Sequence, residues 1–278
     1  MREGGKIGLA LGGGAARGFA HIGVLEVLNQ EGIPISMIAG TSAGAAIGAI
    51  YAQGKDATLI KNVVTGLDWK RLASLVDFAF PKSGFIGGKK VRSLLESVLG
   101  GDIKFSDLKI PLACVATDIR TCEEVVIDQG SVLEAVRASI SIPGVFTVVK
   151  WKSRYLVDGG LVNPVPVSVL RRAGLDYVIA VNVMPDMSER IHQVDKEGTK
   201  GFKEPNIVSV ITQSLQMAQC LLLRSCLEGA DIVIKPKVAH ISPGDFHRAQ
   251  ECIIQGKQAA RESMPEIERR LGVSKANY

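Results

Sequence analysis

The sequence predicts an α/β fold in three layers, α/β/α, in which a central, mostly parallel β-sheet lies between helices. Short apolar runs typical of buried strands alternate with longer helical patterns, as they do where parallel strands are joined by helices. Two glycine-rich turns, at 12–18 and 40–44, each follow such a strand and open a helix. The length of 278 residues is within the range of one large domain. We therefore expect a single domain over 1–278, with a motif-bearing core at about 6–183 and a helical portion at 205–278.

The first part of the chain is predicted to contain two strand–helix units and then a long helical region. The strands and helices of the two units are Lys6–Leu11, Phe19–Gln30, Ile35–Ala39 and Ser42–Gln53. Gly32 fits the end of the first helix, where a left-handed backbone favours glycine. Residues 56–100 are predicted to be mostly helical, with a break at 80–88 that contains one proline and three glycines.

The second part of the chain continues the same alternation. Buried strands are predicted at Leu112–Thr117, Glu124–Asp128, Tyr177–Val183 and Ile232–Ile234, and an apolar segment, Trp151–Val157, leads into an Asp-Gly-Gly turn. Helices are predicted at Val132–Ala138, Pro164–Arg172, Ile207–Leu227 and Phe246–Leu271. The polar stretch 184–204 is predicted to be a loop, and no segment has the composition of a linker between domains.

Composition and charge limit the kinds of partner that we expect. Hydrophobic residues make up 46% and charged residues 22% of the chain, as in globular proteins. The formal net charge of +5 is too small and too dispersed to indicate nucleic-acid binding. The five cysteines lack metal-binding spacing, so we expect reduced thiols, no bound metal and a cytoplasmic location. The apolar run Ile7–Leu11 is too short for a signal peptide.

The second glycine turn, Gly40-Thr41-Ser42-Ala43-Gly44, fits the G-x-S-x-G pattern of a nucleophile elbow. In such an elbow a tight strand-to-helix turn exposes the serine hydroxyl, and small neighbours prevent clashes. The start of the following helix also favours developing negative charge. A serine that only caps a buried helix is the structural alternative, because the pattern alone is common. The strand before Ser42 and the helix after it favour a nucleophile.

The first glycine turn, GGGAARG from Gly12 to Gly18, presents backbone N–H groups at a helix N-terminus, which suits an anion. Its spacing does not fit a dinucleotide-binding loop, and the acidic residue expected about 20 positions further on is missing. No Gly-Lys-Ser/Thr follows, so the turn does not fit a P-loop either. Successive glycines let the backbone approach a substrate oxygen, as an oxyanion hole requires. We expect Arg17 to anchor this loop rather than to add charge.

A serine nucleophile needs a base, and the sequence offers two kinds of candidate. His240 and His247 could complete a Ser-Asp-His order like that of α/β-hydrolases, whereas His21 fits a structural role on the first helix. The elbow comes too early for the α/β-hydrolase layout, because only one strand and one helix precede its strand. The better candidate is Asp158, which ends an apolar segment and is followed by two glycines. An Asp-Gly pair by itself usually marks only a turn.

Four motifs rich in glycine, serine and proline follow one another along the chain. They are GGGAARGFAHIGVL from Gly12, GTSAG from Gly40, ASISIPGVF at Ala138–Phe146 and DGGLVNPVP at Asp158–Pro166. In this combination and order they resemble the patatin-like phospholipase family, especially its small bacterial members. Residues 184–278 carry no motif of that family. Thr147 and Val148 depart from the pattern, which often has proline after the aromatic residue, so the wall of the acyl pocket is left undefined.

The resemblance implies a catalytic dyad without a histidine and without a cofactor. In it Ser42 is the nucleophile, and Asp158 is its base and orienter. The oxyanion loop is Gly12–Gly14 with Arg17, and the N–H groups of Gly13, Gly14 and Ala43 hold the oxyanion. The glycines that support the two turns are Gly40, Gly44, Gly159 and Gly160.

The resemblance also implies that the substrate is a lipid acyl ester. The segment Leu67–Gly88 combines apolar residues with a basic fringe, which fits peripheral contact with an anionic membrane, such as the inner membrane surface. An ordinary core helix with a solvated charged face is the alternative. Two other classes of function stay open: a carboxylesterase or thioesterase of non-membrane substrates, and a catalytically silent regulatory protein on the same fold.

Overall fold

The computed structural model describes residues 5–55, 60, 84–86, 88–186 and 207–271. In this part of the chain the strands are β1 (Ile7–Leu11), β2 (Ile35–Thr41), β3 (Gly84–Ile86), β4 (Leu112–Asp118), β5 (Glu124–Ile127), β6 (Gly144–Phe146), β7 (Val149–Trp151), β8 (Arg154–Asp158), β9 (Tyr177–Val181) and β10 (Ile232–Ile234). The α-helices are α1 (Ala20–Gln30), α2 (Ala43–Ala52), α3 (Gly88–Leu99), α4 (Val132–Ser139), α5 (Val167–Arg172), α6 (Ile207–Leu227) and α7 (Ala249–Leu271). Among these helices, none has both the length and the apolar character needed to cross a bilayer.

Eight of the described strands form one mixed sheet with a parallel centre. Strands β10, β9, β1, β2 and β4 lie side by side in that order and run parallel. Strands β5 and β8 both pair with β4 in the antiparallel sense, and β7 extends the sheet from β8. Strands β3 and β6 form a separate parallel pair. The predicted, mostly parallel sheet is confirmed, and the antiparallel strands lie at one edge.

Strands β2 and β8 meet end to end beside β4. Strand β2 pairs with β4 in parallel until Thr41 lies opposite Val115. Strand β8 runs the other way and ends where Asp158 lies opposite Ala116. Because β5 occupies the other side of β4 at these residues, β2 and β8 share one side. Their carboxyl ends therefore face each other, and Ser42, which follows Thr41, comes next to Asp158.

Helices cover both faces of the sheet, which confirms the three-layer α/β/α architecture. On one face, large side chains such as Leu9 and Ile38 pack in a core that includes residues of α1, α2, α4 and α7. On the other face a row of alanines crosses four neighbouring strands in register, beside residues of α5 and α6. These alanines are Ala10, Ala39, Ala113 and Ala180. Such small side chains let the helices approach the sheet closely.

Most predicted elements are present, and the differences have local causes. Helix Ile207–Leu227 and strand Ile232–Ile234 have the predicted bounds. The helix predicted from Pro164 begins only at Val167, after the proline-rich turn. The segment Trp151–Val157 is divided by a turn in which Lys152 has a φ of 53°. Most of Leu67–Gly88 and of the predicted loop 184–204 lies outside the described residues.

Candidate active site

Ser42 lies on a strained turn between β2 and α2. Its backbone has φ 53° and ψ −119°, a combination that residues other than glycine rarely adopt. The Ser42 N–H donates to Ser139 Oγ over 2.8 Å, and the Ser42 carbonyl accepts the Ala46 N–H at 3.1 Å. Such a conformation persists only where its surroundings fix it, and it is a property of a nucleophile elbow.

Asp158 ends β8 and is almost completely buried, with 3% of its surface exposed. Its Oδ1 accepts the Gly160 N–H over 2.8 Å. Burial raises the pKa of Asp158 from 3.8 to about 6, against the opposing effect of hydrogen bonding from the Ser42 hydroxyl and the Gly160 N–H. This carboxylate is therefore a stronger base than an exposed aspartate, and its pKa lies nearer to neutral pH, where a general base is most effective.

The side chains of Ser42 and Asp158 are brought together by the end-to-end meeting of β2 and β8. The Ser42 hydroxyl is close enough to stabilise the Asp158 carboxylate. Asp158 Oδ2, however, has no hydrogen bond of full geometry within the described residues. We interpret the pair as in contact without a well-aligned hydrogen bond.

The glycine loop after β1 lies against the serine turn. A Cβ on Gly13 would be 3.4 Å from Ser42 Cβ, so this glycine lies within van der Waals reach of the serine. The Gly12 N–H donates to the Val181 carbonyl at 3.1 Å, and the Gly13 N–H to the Pro164 carbonyl at 2.9 Å. These two N–H groups therefore hold the loop in the fold. The Gly13 N–H, one of the predicted oxyanion donors, is thus engaged with the Pro164 carbonyl.

Two of the predicted oxyanion donors stay available, the N–H groups of Gly14 and Ala43. Neither has a hydrogen-bond partner among the residues that the structure describes. Ala43 is the first residue of α2, so its N–H belongs to the positive end of that helix. Gly14 follows the residue that lies against Ser42 Cβ. These two N–H groups are therefore the candidate donors of an oxyanion hole.

Glycines in the motifs allow the backbone segments of the site to pack closely. A Cβ on Gly44 would be 2.1 Å from the Leu11 carbonyl oxygen. A Cβ on Gly159 would be 2.2 Å from the Val115 carbonyl oxygen, and one on Gly40 would be 2.6 Å from the backbone of α2. Glycine therefore lets α2 begin against β1, and lets the Asp158 turn lie against β4.

The C-terminal region, which carries no predicted motif, supports the glycine loop. Arg17 is buried and donates from Nε to the Ile241 carbonyl at 2.6 Å. The Ala16 N–H donates to the Pro243 carbonyl at 3.1 Å, and Cys252 Sγ lies 3.6 Å from the Ala16 carbonyl oxygen. These contacts agree with an anchoring role for Arg17.

The turn at the end of α4 holds the backbone of both candidate catalytic residues, a role that the sequence did not predict. Ser139 Oγ accepts the Ser42 N–H and donates to the Val115 carbonyl at 2.6 Å. Two residues further on, the Ser141 carbonyl accepts the Asp158 N–H at 2.9 Å. One short segment therefore fixes the backbones of Ser42 and Asp158 relative to each other. The sequence signal was present, because both serines belong to the motif ASISIPGVF.

Arg137 supports this turn from within the protein. Its buried guanidinium donates to Ser141 Oγ at 2.6 Å and to the carbonyl and hydroxyl of Thr147 at 3.0 Å. It also lies 5.7 Å from the centre of the Phe146 ring. Burial lowers the pKa of Arg137. Thr147 stands where the family that the sequence resembles often has proline. In this chain it accepts hydrogen bonds from Arg137.

Two of the histidines have structural contacts. His21 is fully buried, and its Nε2–H donates to the Gly12 carbonyl at 2.8 Å. Burial lowers the pKa of His21 to about 4, so this ring is neutral near pH 7. His240 is exposed and lies 2.7 Å from the Glu251 carboxylate. These contacts favour the interpretation that neither ring is the base.

Comparison with known proteins identifies relatives of the chain. The sequence profile of the family described as Patatin-like phospholipase matches residues 9–171, more than half of the 278 residues. The uncharacterized NTE family protein Rv1063c of Mycobacterium tuberculosis is 34% identical over 178 residues, which are 64% of this chain and 49% of that protein. Lysophospholipase NTE1 of Candida glabrata is 29% identical over 272 residues, 90% of this chain and 15% of that protein. The chain thus spans about half the length of the mycobacterial relative.

Solved structures share the fold at low sequence identity. VipD from Legionella pneumophila has a TM-score of 0.63 at 15% identity, over 94% of this chain and 67% of that chain. Human GIVD cytosolic phospholipase A2 has a TM-score of 0.51 at 12% identity, over 96% of this chain and 60% of that chain. These similarities support the three-layer architecture.

Proposed function

This chain belongs to the patatin-like phospholipase family, and from that premise we propose that it is a serine acyl hydrolase that cleaves lipid carboxylic esters. Ser42 is the nucleophile and Asp158 is the base. One observation above all supports this proposal: a buried carboxyl with a raised pKa lies against a serine on a strained elbow. A buried aspartate and a strained serine both lower the stability of the fold. Their presence side by side therefore indicates a functional role.

Acylation begins when Ser42 Oγ attacks the ester carbonyl carbon. The Asp158 carboxylate accepts the hydroxyl proton, and the carbonyl oxygen becomes an oxyanion that the N–H groups of Gly14 and Ala43 stabilise. The tetrahedral intermediate then collapses, and Asp158 returns the proton to the departing alcohol. The products of this half-reaction are the free alcohol and an acyl group bound to Ser42.

Deacylation repeats the same steps with water as the nucleophile. Asp158, again ionised, accepts a proton from water as its oxygen attacks the acyl carbon. Collapse of the second intermediate releases the fatty acid and returns a proton to Ser42 Oγ. Asp158 thus takes up and gives back one proton in each half-reaction, so the cycle uses no cofactor.

The proposed substrates are fatty acyl esters of phospholipids or lysophospholipids. One relative is named a lysophospholipase, which supports this class without fixing the head group or the acyl position. Lipids of this kind are held in membranes or micelles. We therefore also propose that the protein contacts a membrane surface peripherally, and that this surface can be anionic. The proposed location is the cytoplasm.

A hydrolysis panel tests the proposal directly. Phospholipids, lysophospholipids and short water-soluble esters are incubated with the wild type and with Ser42→Ala, and the released acid is measured by mass spectrometry. We expect acid release only by the wild type, and labelling of Ser42 by a fluorophosphonate probe. Folded wild-type protein that releases no acid and stays unlabelled would contradict the proposal and favour a catalytically silent protein. Cleavage of short soluble esters alone would favour a carboxylesterase.

A further inference from the structure

Helix α6 carries a stripe of exposed apolar side chains. Of the nine large hydrophobic side chains that are exposed in the described part of the chain, four belong to this helix. Their exposed fractions are 69% for Ile207, 43% for Val210, 53% for Met217 and 67% for Leu221. Spacings of three, seven and four residues place them on one face of the helix. Single exposed apolar residues are common on protein surfaces, but a continuous stripe calls for a partner.

The opposite face of α6 packs against the catalytic side of the protein. A Cβ on Gly160 would be 2.5 Å from Gln219 Nε2, so the Gln219 amide lies directly on the turn that follows Asp158. Further along the helix, Cys220 and Leu223 are buried. A layer one helix thick therefore separates the Asp158 turn from the exposed stripe.

The charge of α6 also indicates what kind of partner it fits. Its 21 residues include one charged side chain, Arg224, and no acidic residue. By contrast, α7 carries several charges of both signs over its 23 residues. Small uncharged residues, Ser214 and Ala218, lie between the apolar side chains of the stripe. An apolar stripe with one cation and no acid is compatible with phosphate-bearing lipid head groups and acyl chains.

We infer that the stripe Ile207–Val210–Met217–Leu221 is the surface by which this protein lies on a lipid aggregate. This inference rests on the proposed function, because it names the form in which the substrate is presented. The apolar side chains enter the boundary between head groups and acyl chains, while the buried face keeps α6 attached to the protein. Docking in this orientation holds the Asp158 turn close to the lipid surface.

Vesicle flotation tests the inference apart from catalysis. The probe is a set of mixed phosphatidylcholine–phosphatidylglycerol vesicles, and the protein is the full chain with Ser42→Ala, which leaves the lipid intact. We expect this protein to float with the vesicles. Adding Met217→Gln and Leu221→Gln should weaken partitioning at least about tenfold, since both side chains leave water on docking. Adding Ile207→Gln and Val210→Gln instead is a second variant pair at the other end of the stripe.

The matched control is Ile254→Gln on α7, a side chain that is 51% exposed and outside the stripe. It should float like its parent. Absence of flotation by the parent, or equal flotation of both stripe variants and the parent when all are folded, would overturn the inference. A dimer in lipid-free buffer that dissociates when the stripe is substituted would also overturn the inference, since the stripe would then bind a second copy of the chain.

Activity measurements separate failure of this inference from failure of the proposed function. In the active protein, the ratio of turnover on vesicles to turnover on a water-soluble ester should fall at least about tenfold in Met217→Gln/Leu221→Gln, but not in Ile254→Gln. An unchanged ratio would overturn the docking surface and leave the hydrolase intact. A wild type that hydrolyses nothing, but whose Ser42→Ala form floats through the stripe, would overturn the hydrolase and retain the docking surface.

Discussion

Two aspartates, Asp118 and Asp158, end neighbouring antiparallel strands and are equally buried, each with 3% of its surface exposed. Asp118 accepts the Arg120 N–H at 3.0 Å, and its Oδ2 lies 3.7 Å from the Arg154 guanidinium. Asp158 contacts only neutral groups, the Gly160 N–H and the Ser42 hydroxyl, as far as the described residues show. Burial is therefore not what distinguishes a base from a structural carboxylate. The difference is that no cation among the described residues compensates the charge of Asp158.

The largest expected effect comes from removing each charge in turn. Asp158→Asn keeps the shape of the side chain and an acceptor for the Gly160 N–H, but it cannot take the Ser42 proton. We expect kcat/KM for ester hydrolysis to fall by about 10³-fold or more, as for loss of a general base. Asp118→Asn should leave kcat/KM within about threefold. Equal losses in the two variants, both folded by circular dichroism, would erase the functional distinction between the two carboxylates.

The stability of the two variants should change in opposite directions. Folding raises the pKa of Asp158 from 3.8 to about 6, so the unfolded chain releases this proton first and ionisation destabilises the fold as pH rises through this range. The shift corresponds to about 3 kcal/mol, present in full above pH about 6 and absent below pH about 4. Asp158→Asn should thus unfold at higher urea concentration than the wild type at about pH 8, and at the same concentration at about pH 4.

The control for that measurement is Asp118→Asn. It removes the more distant of two carboxylates that pair with Arg154, whose side chain is 41% exposed and also lies 2.7 Å from Glu123. We therefore expect a loss of about 1 kcal/mol or less at about pH 8. An Asp158→Asn protein that is less stable than the wild type at this pH would show that burial of the Asp158 charge does not destabilise the fold.

The pH dependence of the wild type gives the third expected effect. Because Asp158 acts as a base only when it is ionised, kcat/KM on a soluble ester should fall about tenfold per pH unit below the Asp158 pKa of about 6. Titration of the buried His21 should not change the pH profile near pH 6, since burial lowers the pKa of this ring to about 4. A profile flat down to about pH 4.5 would mean that the base has the pKa of an ordinary carboxylate.

Local patterns in the sequence predicted some features of the site, whereas contacts between distant segments could not be predicted. Glycine spacing around Ser42 and Asp158 predicted both turns, because tight turns impose strict local requirements on side-chain size. The pairing of Gly13 with Pro164, and of Arg17 with Ile241 across 224 positions, joins segments that no local pattern relates. The sequence did not predict the exposed apolar face of α6 for another reason. With one charge in 21 residues, its sequence did not indicate which face is solvent-exposed.

The smallest expected effect concerns Ser139, whose hydroxyl links the Ser42 backbone to β4. We expect this link to influence how closely the Ser42 hydroxyl approaches Asp158. Ser139→Ala frees the Ser42 N–H, and the strained elbow loses one of the contacts that fix it. We expect kcat to fall about tenfold with little change in KM, because the Ser139 hydroxyl is fully buried and bonds to backbone groups of the protein. Ser139→Thr keeps the hydroxyl and should restore part of the loss.

A matched control and a second readout separate positioning from stability. Ser131 caps the start of the same helix, α4, and Ser131→Ala should destabilise the protein by about 1 kcal/mol without touching the dyad. The Ser42 hydroxyl lowers the pKa of Asp158, so a weaker contact should move the acid limb of Ser139→Ala above the wild-type value. The limb of Ser131→Ala should stay in place. A loss of activity in proportion to stability in both variants, with the acid side of both pH profiles unchanged, would mean that Ser139 acts on the fold alone. The pKa of Asp158 would then be raised by burial and would not depend on the position of Ser42.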